Sequence, residues 1–244
     1  MNMFLRAIIV SVWLIFMVSF TGGCAAWDSF FFGEEEDIPA DQLMKEANEK
    51  FDDGEFEEAK KAYQKVKDRY PYSEFALEAE LKMADSLYED ELYEEAYDAY
   101  DDFEKLHPKN KEIPYVIYKK GMCHFVQVTT IDRDQSHTLK AKEEFERLVK
   151  RYPRNEYASS ARKKIRKCYI NMAEYELYIG HYYYRRGKYR AAMERYRYLI
   201  ENYPDLGQYK EAVEYYAKAK ERIPEEEEAE KKMDSWWYRL THPY

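Results

Sequence analysis

GEFEEAKKAYQKVKDRYP, residues 54–71, is the stretch that decides the fold, because its outline returns three more times along the chain. Its apolar positions Phe56, Ala59, Tyr63, Val66 and Tyr70 are separated by alternating steps of three and four, so they share one face of a helix. Gly54 opens the turn before that helix and Pro71 closes the turn after it. With a preceding helix over 41–52, the segment forms one antiparallel helical hairpin. Such a hairpin cannot bury its apolar face alone, so its copies must stack.

The second copy carries Tyr93, Ala96, Tyr100, Phe103, His107 and Pro108. The third has Ala141, Phe145, Leu148, Tyr152 and Pro153, and the fourth has Gly187, Tyr189, Ala192, Tyr196, Leu199, Tyr203 and Pro204. The alanine precedes the proline by 12 residues in all four copies, and an aromatic always follows the alanine by four. A small alanine lets the two helices of a hairpin approach closely. The pattern resembles the tetratricopeptide (TPR) repeat, whose units run to about 34 residues. Here the prolines are 37, 45 and 51 residues apart, which predicts longer first helices or insertions. The expected fold is all-α: a right-handed α-solenoid of about five TPR-like helical hairpins.

Composition agrees with a helical, water-facing body: 36% of the 244 residues are charged and only 8 are glycine and 8 proline. The 26 tyrosines suit helices that pack through aromatic bodies while hydroxyls reach the surface. A net charge of −9 argues against nucleic acid as a partner. The N-terminus reads as a targeting segment. Arg6 precedes an apolar run over 7–20, too short for the roughly 20 residues a membrane span needs. Thr21-Gly22-Gly23-Cys24 then resembles a bacterial lipobox, with Thr21 in place of the usual leucine. That resemblance implies cleavage before Cys24 and a covalent diacylglycerol and N-acyl lipid on Cys24. The other reading is an ordinary secretory signal. Ala25 lacks the aspartate that resembles an inner-membrane retention signal, so the expected location is the periplasmic face of the outer membrane.

The chain therefore divides into a signal over 1–23, a lipidated tether over 24–38 and a solenoid over 39–240. Within the solenoid, N-terminal repeats occupy 39–108, a third repeat with an insertion 109–153, and C-terminal repeats 154–240. In the tether, Trp27 and Phe30 to Phe32 could rest on the membrane or cover the first repeat. Ser73 is a candidate N-cap for the helix after Pro71. Residues 129–136 form a polar inset longer than a turn requires, and Asp132, Arg133 and Asp134 are contact candidates there. Residues 156–186 contain no proline and predict one long helix. A fifth hairpin is expected from Gln208 to Arg222 and then from Pro224, with Glu225 to Glu228 opposing the dipole at the new helix start. Trp236 and Trp237 either cap the last hydrophobic layer or anchor a partner.

The residues offer no catalytic constellation. The five histidines form no short metal-ligand spacing. His107 stands where the other copies have tyrosine, and His124 and His181 lie on first helices, where packing is the expectation. Cys123 and Cys168 lie inside helices 45 residues apart, as two separate buried thiols rather than a disulfide. There is no phosphate loop and no nucleophile elbow. An enzyme is not expected, nor any cofactor besides the lipid on Cys24.

Several stretches resemble the BamD family of the outer-membrane β-barrel assembly machine. They are Arg69-Tyr70-Pro71-Tyr72, Tyr115-Val116-Ile117-Tyr118 with Gly121, Asp132-Arg133-Asp134, and Lys150-Arg151-Tyr152-Pro153 with Asn155, Tyr157 and Ala158. In the fourth copy they are Tyr175-Glu176, Tyr182 to Tyr184, Arg186-Gly187 and Ala191-Ala192. The resemblance implies a scaffold whose N-terminal repeats receive nascent outer-membrane β-barrel proteins through an extended C-terminal segment. Its C-terminal repeats would dock on the periplasmic POTRA domains of BamA, alongside other Bam lipoproteins. Carried over by position, Tyr70, Pro71 and Tyr72 match the client side, while the place of Tyr70 on the repeated face, like Tyr152 and Tyr203, leaves packing as its other reading. Arg186, Gly187 and Arg195 match the BamA side. A TPR lipoprotein acting as a pilotin or cell-wall assembly regulator is the alternative.

Overall fold

A computed structural model describes residues 38–128, 135–204 and 206–241. The signal over 1–23, Cys24, the tether aromatics Trp27 and Phe30 to Phe32, and Asp132, Arg133 and Asp134 lie outside the described residues. Among the described residues there are nine helices and no strand. They are α1 (Ala40–Asp52), α2 (Phe56–Arg69), α3 (Phe75–Glu89), α4 (Tyr93–Leu106), α5 (Ile113–Phe125), α6 (Ser136–Arg151), α7 (Glu156–Arg185), α8 (Tyr189–Asn202) and α9 (Tyr209–Thr241). Each helix packs on the next along the chain, and α1 also touches α3 as α5 touches α7. That is the stacking of a helical solenoid.

The repeated alanines and aromatics are its core. Ala59, Ala96, Ala141 and Ala192 are fully buried, and so are Tyr63, Tyr100, Phe145 and Tyr196 four residues on. Each aromatic faces a small residue on the first helix of its own hairpin. A Cβ built on Gly180 would lie 2.4 Å from the Tyr196 ring, and one on Gly121 would lie 2.6 Å from the Phe145 ring. The equivalent residues in the first two hairpins are Ala47 and Ala84, each 16 residues before its tyrosine, like Gly180 before Tyr196. The tyrosine hydroxyls find partners on the same first helices. Tyr63 donates to Asn48 at 2.7 Å and Tyr100 to Asp85 at 2.6 Å, and the Tyr196 hydroxyl lies 2.9 Å from His181 Nδ1. Burying each ring contributes about 1.5–3 kcal/mol, and the bonded hydroxyl avoids the cost of a stranded donor.

Repeats two and three are also welded by buried charge. Lys120 of α5 is buried and donates to Asp101 and, at 3.2 Å, to Glu104. Arg147 of α6 forks onto the same Glu104 and onto Glu144, and the Tyr97 hydroxyl donates to Glu144 at 3.2 Å. Burial alone would raise the Glu104 and Asp101 carboxyls. For Glu104, Arg147 and Lys120 outweigh burial, and for Asp101, Lys105 and Lys120 do, so both sit below the usual carboxylate range.

The last unit departs from the sequence reading. Among the described residues the expected fifth hairpin is not formed: α9 is one helix of 33 residues with Pro224 inside it. Proline removes one backbone donor there, and the helix continues regardless. The acidic run takes a different role from the one expected of it. Glu226 accepts the Arg190 backbone N–H at 2.8 Å, Glu227 pairs with the Arg190 side chain at 2.7 Å, and Glu230 with Lys188 at 3.2 Å. The glutamates thus cap the N-terminus of α8 rather than that of their own helix. Trp236 and Trp237 pack edge to face at 5.3 Å and remain about half exposed, while Ala212 and Ala219 close the last buried layer. They do not cap it. Cys123 and Cys168 are free and buried, and burial pushes their thiols up to about 12 and about 11.

Gly121→Ala and Gly180→Ala should each destabilise the fold in urea melts. Overpacking costs about 1–3 kcal/mol, more than the roughly 1 kcal/mol an alanine adds in helix propensity. Gly207→Ala, with nothing within 4 Å of its Cβ, should be near neutral. The depressed carboxyls add stability that is full above the unfolded carboxyl pKa of about 4 and is lost as pH falls through their lower folded values. Urea melts from pH 7 down to pH ~3 should show this loss, and Lys120→Met should shrink it by returning those carboxyls upward.

Candidate interaction surfaces

At the N-terminal end, α2 stops at Arg69 and Tyr70 turns out of helical backbone at φ −127° and ψ 54°. Its hydroxyl donates to the Ile38 carbonyl at 2.9 Å, tying the start of the body to the end of the first hairpin. Ser73 is not the N-cap expected of it. Its hydroxyl and its backbone N–H both donate to the Tyr70 carbonyl, which tightens the turn. Tyr70 is therefore half-buried and structural, whereas Pro71 is exposed and Tyr72 is 100% exposed. Beside them a groove of ≈ 380 Å³ runs between α1 and α2, with Leu43 and Ala62 within it and Lys50, Lys61, Lys65 and Arg69 along its sides together with Glu46, which pairs with Lys50, and Glu58.

At the other end, Gly187 takes φ +72° in the turn between α7 and α8, which a side-chain-bearing residue adopts only at a cost. Arg186 lies with its guanidinium 4.7 Å from the Tyr182 ring centre. The two border a groove of ≈ 340 Å³ together with Lys188, Glu226, Glu230 and Met233. Arg195 does not line this groove. It pairs with the nearly buried Glu176 of α7 at 3.2 Å, and its own side chain stays 43% exposed. The structure thus joins Arg186 to Gly187 and gives Arg195 a partner within the chain.

Two of the remaining histidines are satisfied. His107 lies 3.2 Å from Glu80, and His181 bridges Tyr196 and Glu211. His124 is packed, as expected, but it is not satisfied. Its Nδ1, and that of His137, are buried and have no hydrogen-bond partner among the described residues. The two rings are 5.6 Å apart, the Tyr97 ring lies tilted against His124 at 4.7 Å, and Glu94 completes the cluster. Burial, with Lys140 nearby, holds the His124 imidazole below the usual histidine range. The three residues are 30 and 13 positions apart, across a helix boundary and the inset, so no short motif announces them.

A family model described as YfiO, outer membrane lipoprotein, matches residues 36–234. Outer membrane protein assembly factor BamD of Caulobacter vibrioides is 30% identical over 204 residues, covering 84% of this chain and 67% of that protein. The protein of the same name from Rickettsia prowazekii is 32% identical over 152 residues, covering 62% of this chain and 61% of that one. The chain thus spans about two thirds of the length of these relatives. Among solved structures, the TPR2AB domain of yeast Sti1 is similar at a TM-score of 0.42 and 19% identity, over 76% of this chain and 78% of that one.

Tyr70→Phe should cost about 0.5–1.5 kcal/mol in urea melts, because it deletes a partly buried hydrogen bond. Tyr72→Ala should stay within about 0.5 kcal/mol of the parent. The pair of melts separates the structural tyrosine from the surface one.

Proposed function

This chain belongs to the YfiO (BamD) family of outer membrane lipoproteins, and from that premise we propose that it is a non-catalytic scaffold for the assembly of outer-membrane β-barrel proteins. The carrying observation is the continuity of the family match, which starts before α1 and runs through all four hairpins into α9. The chain is held at the periplasmic face of the outer membrane by lipid on Cys24. Among the described residues no helix is long and apolar enough to cross a membrane.

The work of such a scaffold is contact at two ends. Exposed Pro71 and Tyr72, beside a groove with an apolar floor whose sides carry Lys50, Lys61, Lys65 and Arg69 against Glu46 and Glu58, suit an extended client segment that ends in a carboxylate. Arg186 and the turn at Gly187 suit an acidic face on the POTRA domains of BamA. Arg195 lies outside that groove and is paired with Glu176, so any part it plays in docking needs its 43% exposed side chain to be shared with a partner carboxylate.

Depletion of the chain should lower the amount of folded β-barrel protein in the outer membrane, and BamA should co-purify with it. Tyr72→Ala should weaken capture of a β-barrel C-terminal peptide several-fold while leaving BamA bound, and Arg186→Glu should do the reverse. Normal barrel levels on depletion would refute the assembly role, and unchanged binding by both variants would refute the two surfaces.

A further inference from the structure

Glu94 begins α4, His124 ends α5 and His137 begins α6, so three helices of two successive repeats converge on one point. One ligand atom from each lies within 4.8 Å of those from the other two. His124 is 4% exposed, and a buried ring nitrogen without a hydrogen-bond partner costs about 1–3 kcal/mol. Two such nitrogens in one cluster, beside a carboxylate, stand out against the other described histidines, His107 and His181, which are both bonded. Gln127 supports the carboxylate: its amide donates to Glu94 at 3.1 Å and to the Cys123 carbonyl at 3.0 Å.

We propose that Glu94, His124 and His137 form a binding site for a transition-metal ion of borderline softness, Zn2+ being the best fit, which staples the second repeat to the third. Two imidazoles and one carboxylate are the ligand types such an ion takes, and they suit the harder Ca2+ and Mg2+ poorly. A tetrahedral ion with bonds of about 2.0–2.2 Å needs these atoms somewhat closer together. The exposed Glu94 side chain and the part-exposed His137 ring can supply that movement, and the ion leaves a fourth position to water. The ion would lock α4 to both helices of the third hairpin, and its ligands His124 and His137 flank residues 129–134 in the chain.

The full chain, purified in detergent without a histidine tag and stripped with a chelator, tests this directly. Calorimetric titration should show one Zn2+ per chain, and Co2+ should give the visible absorption of a tetrahedral nitrogen and oxygen site. Zn2+ should raise the Tm, and Ca2+ and Mg2+ should not. Loss of outer-shell partners alone typically costs 10–100-fold, so His137→Ala and Glu94→Gln should each weaken Zn2+ about a hundredfold. Glu95→Gln, an exposed neighbour, should bind like the parent. Circular dichroism confirms that each variant keeps its helices, and His137 and Glu94 are open enough to replace without emptying the core. Absence of saturable Zn2+ binding, or binding that survives His137→Ala unchanged, overturns the proposal.

Discussion

Insertion of an aromatic ring into the notch left by a small residue is the contact on which the rest of this solenoid depends. Gly180 receives Tyr196 and Gly121 receives Phe145, with no room for a methyl group in either place. Ala47 and Ala84 hold the matching positions against Tyr63 and Tyr100. The contact sets how near the two helices of a hairpin lie, and so which faces remain for the neighbouring hairpins. It also explains why the repeat length is free to vary. The third hairpin separates Gly121 from Phe145 by 24 residues instead of 16, and the surplus falls between its helices. The fourth adds length at the far end of α7, ahead of Gly180, and leaves the spacing to Tyr196 at 16. Both changes spare the notch.

That constraint is local and periodic, which is why it was legible. An alanine, an aromatic four residues on and a proline eight beyond that report a helix face and its end without help from tertiary structure. Four hairpins and the unbroken α7 follow from those cues. The last unit does not, because a proline followed by glutamates is also the signature of a helix start. What decides between the readings is the unfilled N-terminus of α8, 36 residues earlier, whose Arg190 N–H takes the Glu226 carboxylate. A partner that distant in the chain leaves no periodic trace.

The candidate surfaces divide in the same way. The Tyr70 to Tyr72 turn could be found by pattern, but only the Ile38 carbonyl shows that Tyr70 belongs to the body and Tyr72 to the surface. Arg195 reads as exposed from its place beside Tyr196, and its engagement by Glu176 depends on the packing of α8 on α7. His124 was hidden most completely. A histidine on an apolar helix face is ordinarily a satisfied core residue, and only the stranded nitrogens distinguish this one from His181.

Charge is concentrated where the solenoid is least regular. Lys120, Arg147, Asp101, Glu104 and Glu144 form their network across α4, α5 and α6, the same three helices that bring Glu94, His124 and His137 together. A buried cation among carboxylates adds less net stability than an apolar core of equal volume, but breaking it costs about 3–5 kcal/mol, so it penalises any slip between repeats two and three. Beyond that block α7 runs for 30 residues, about 45 Å, and forms part of both the third and fourth layers. The Tyr72 end and the Arg186 end are thus joined by one charge-locked block and one unbroken helix. The proposed scaffold, with a partner at each end, needs that spacing held, and packing and charge hold it here rather than a linker.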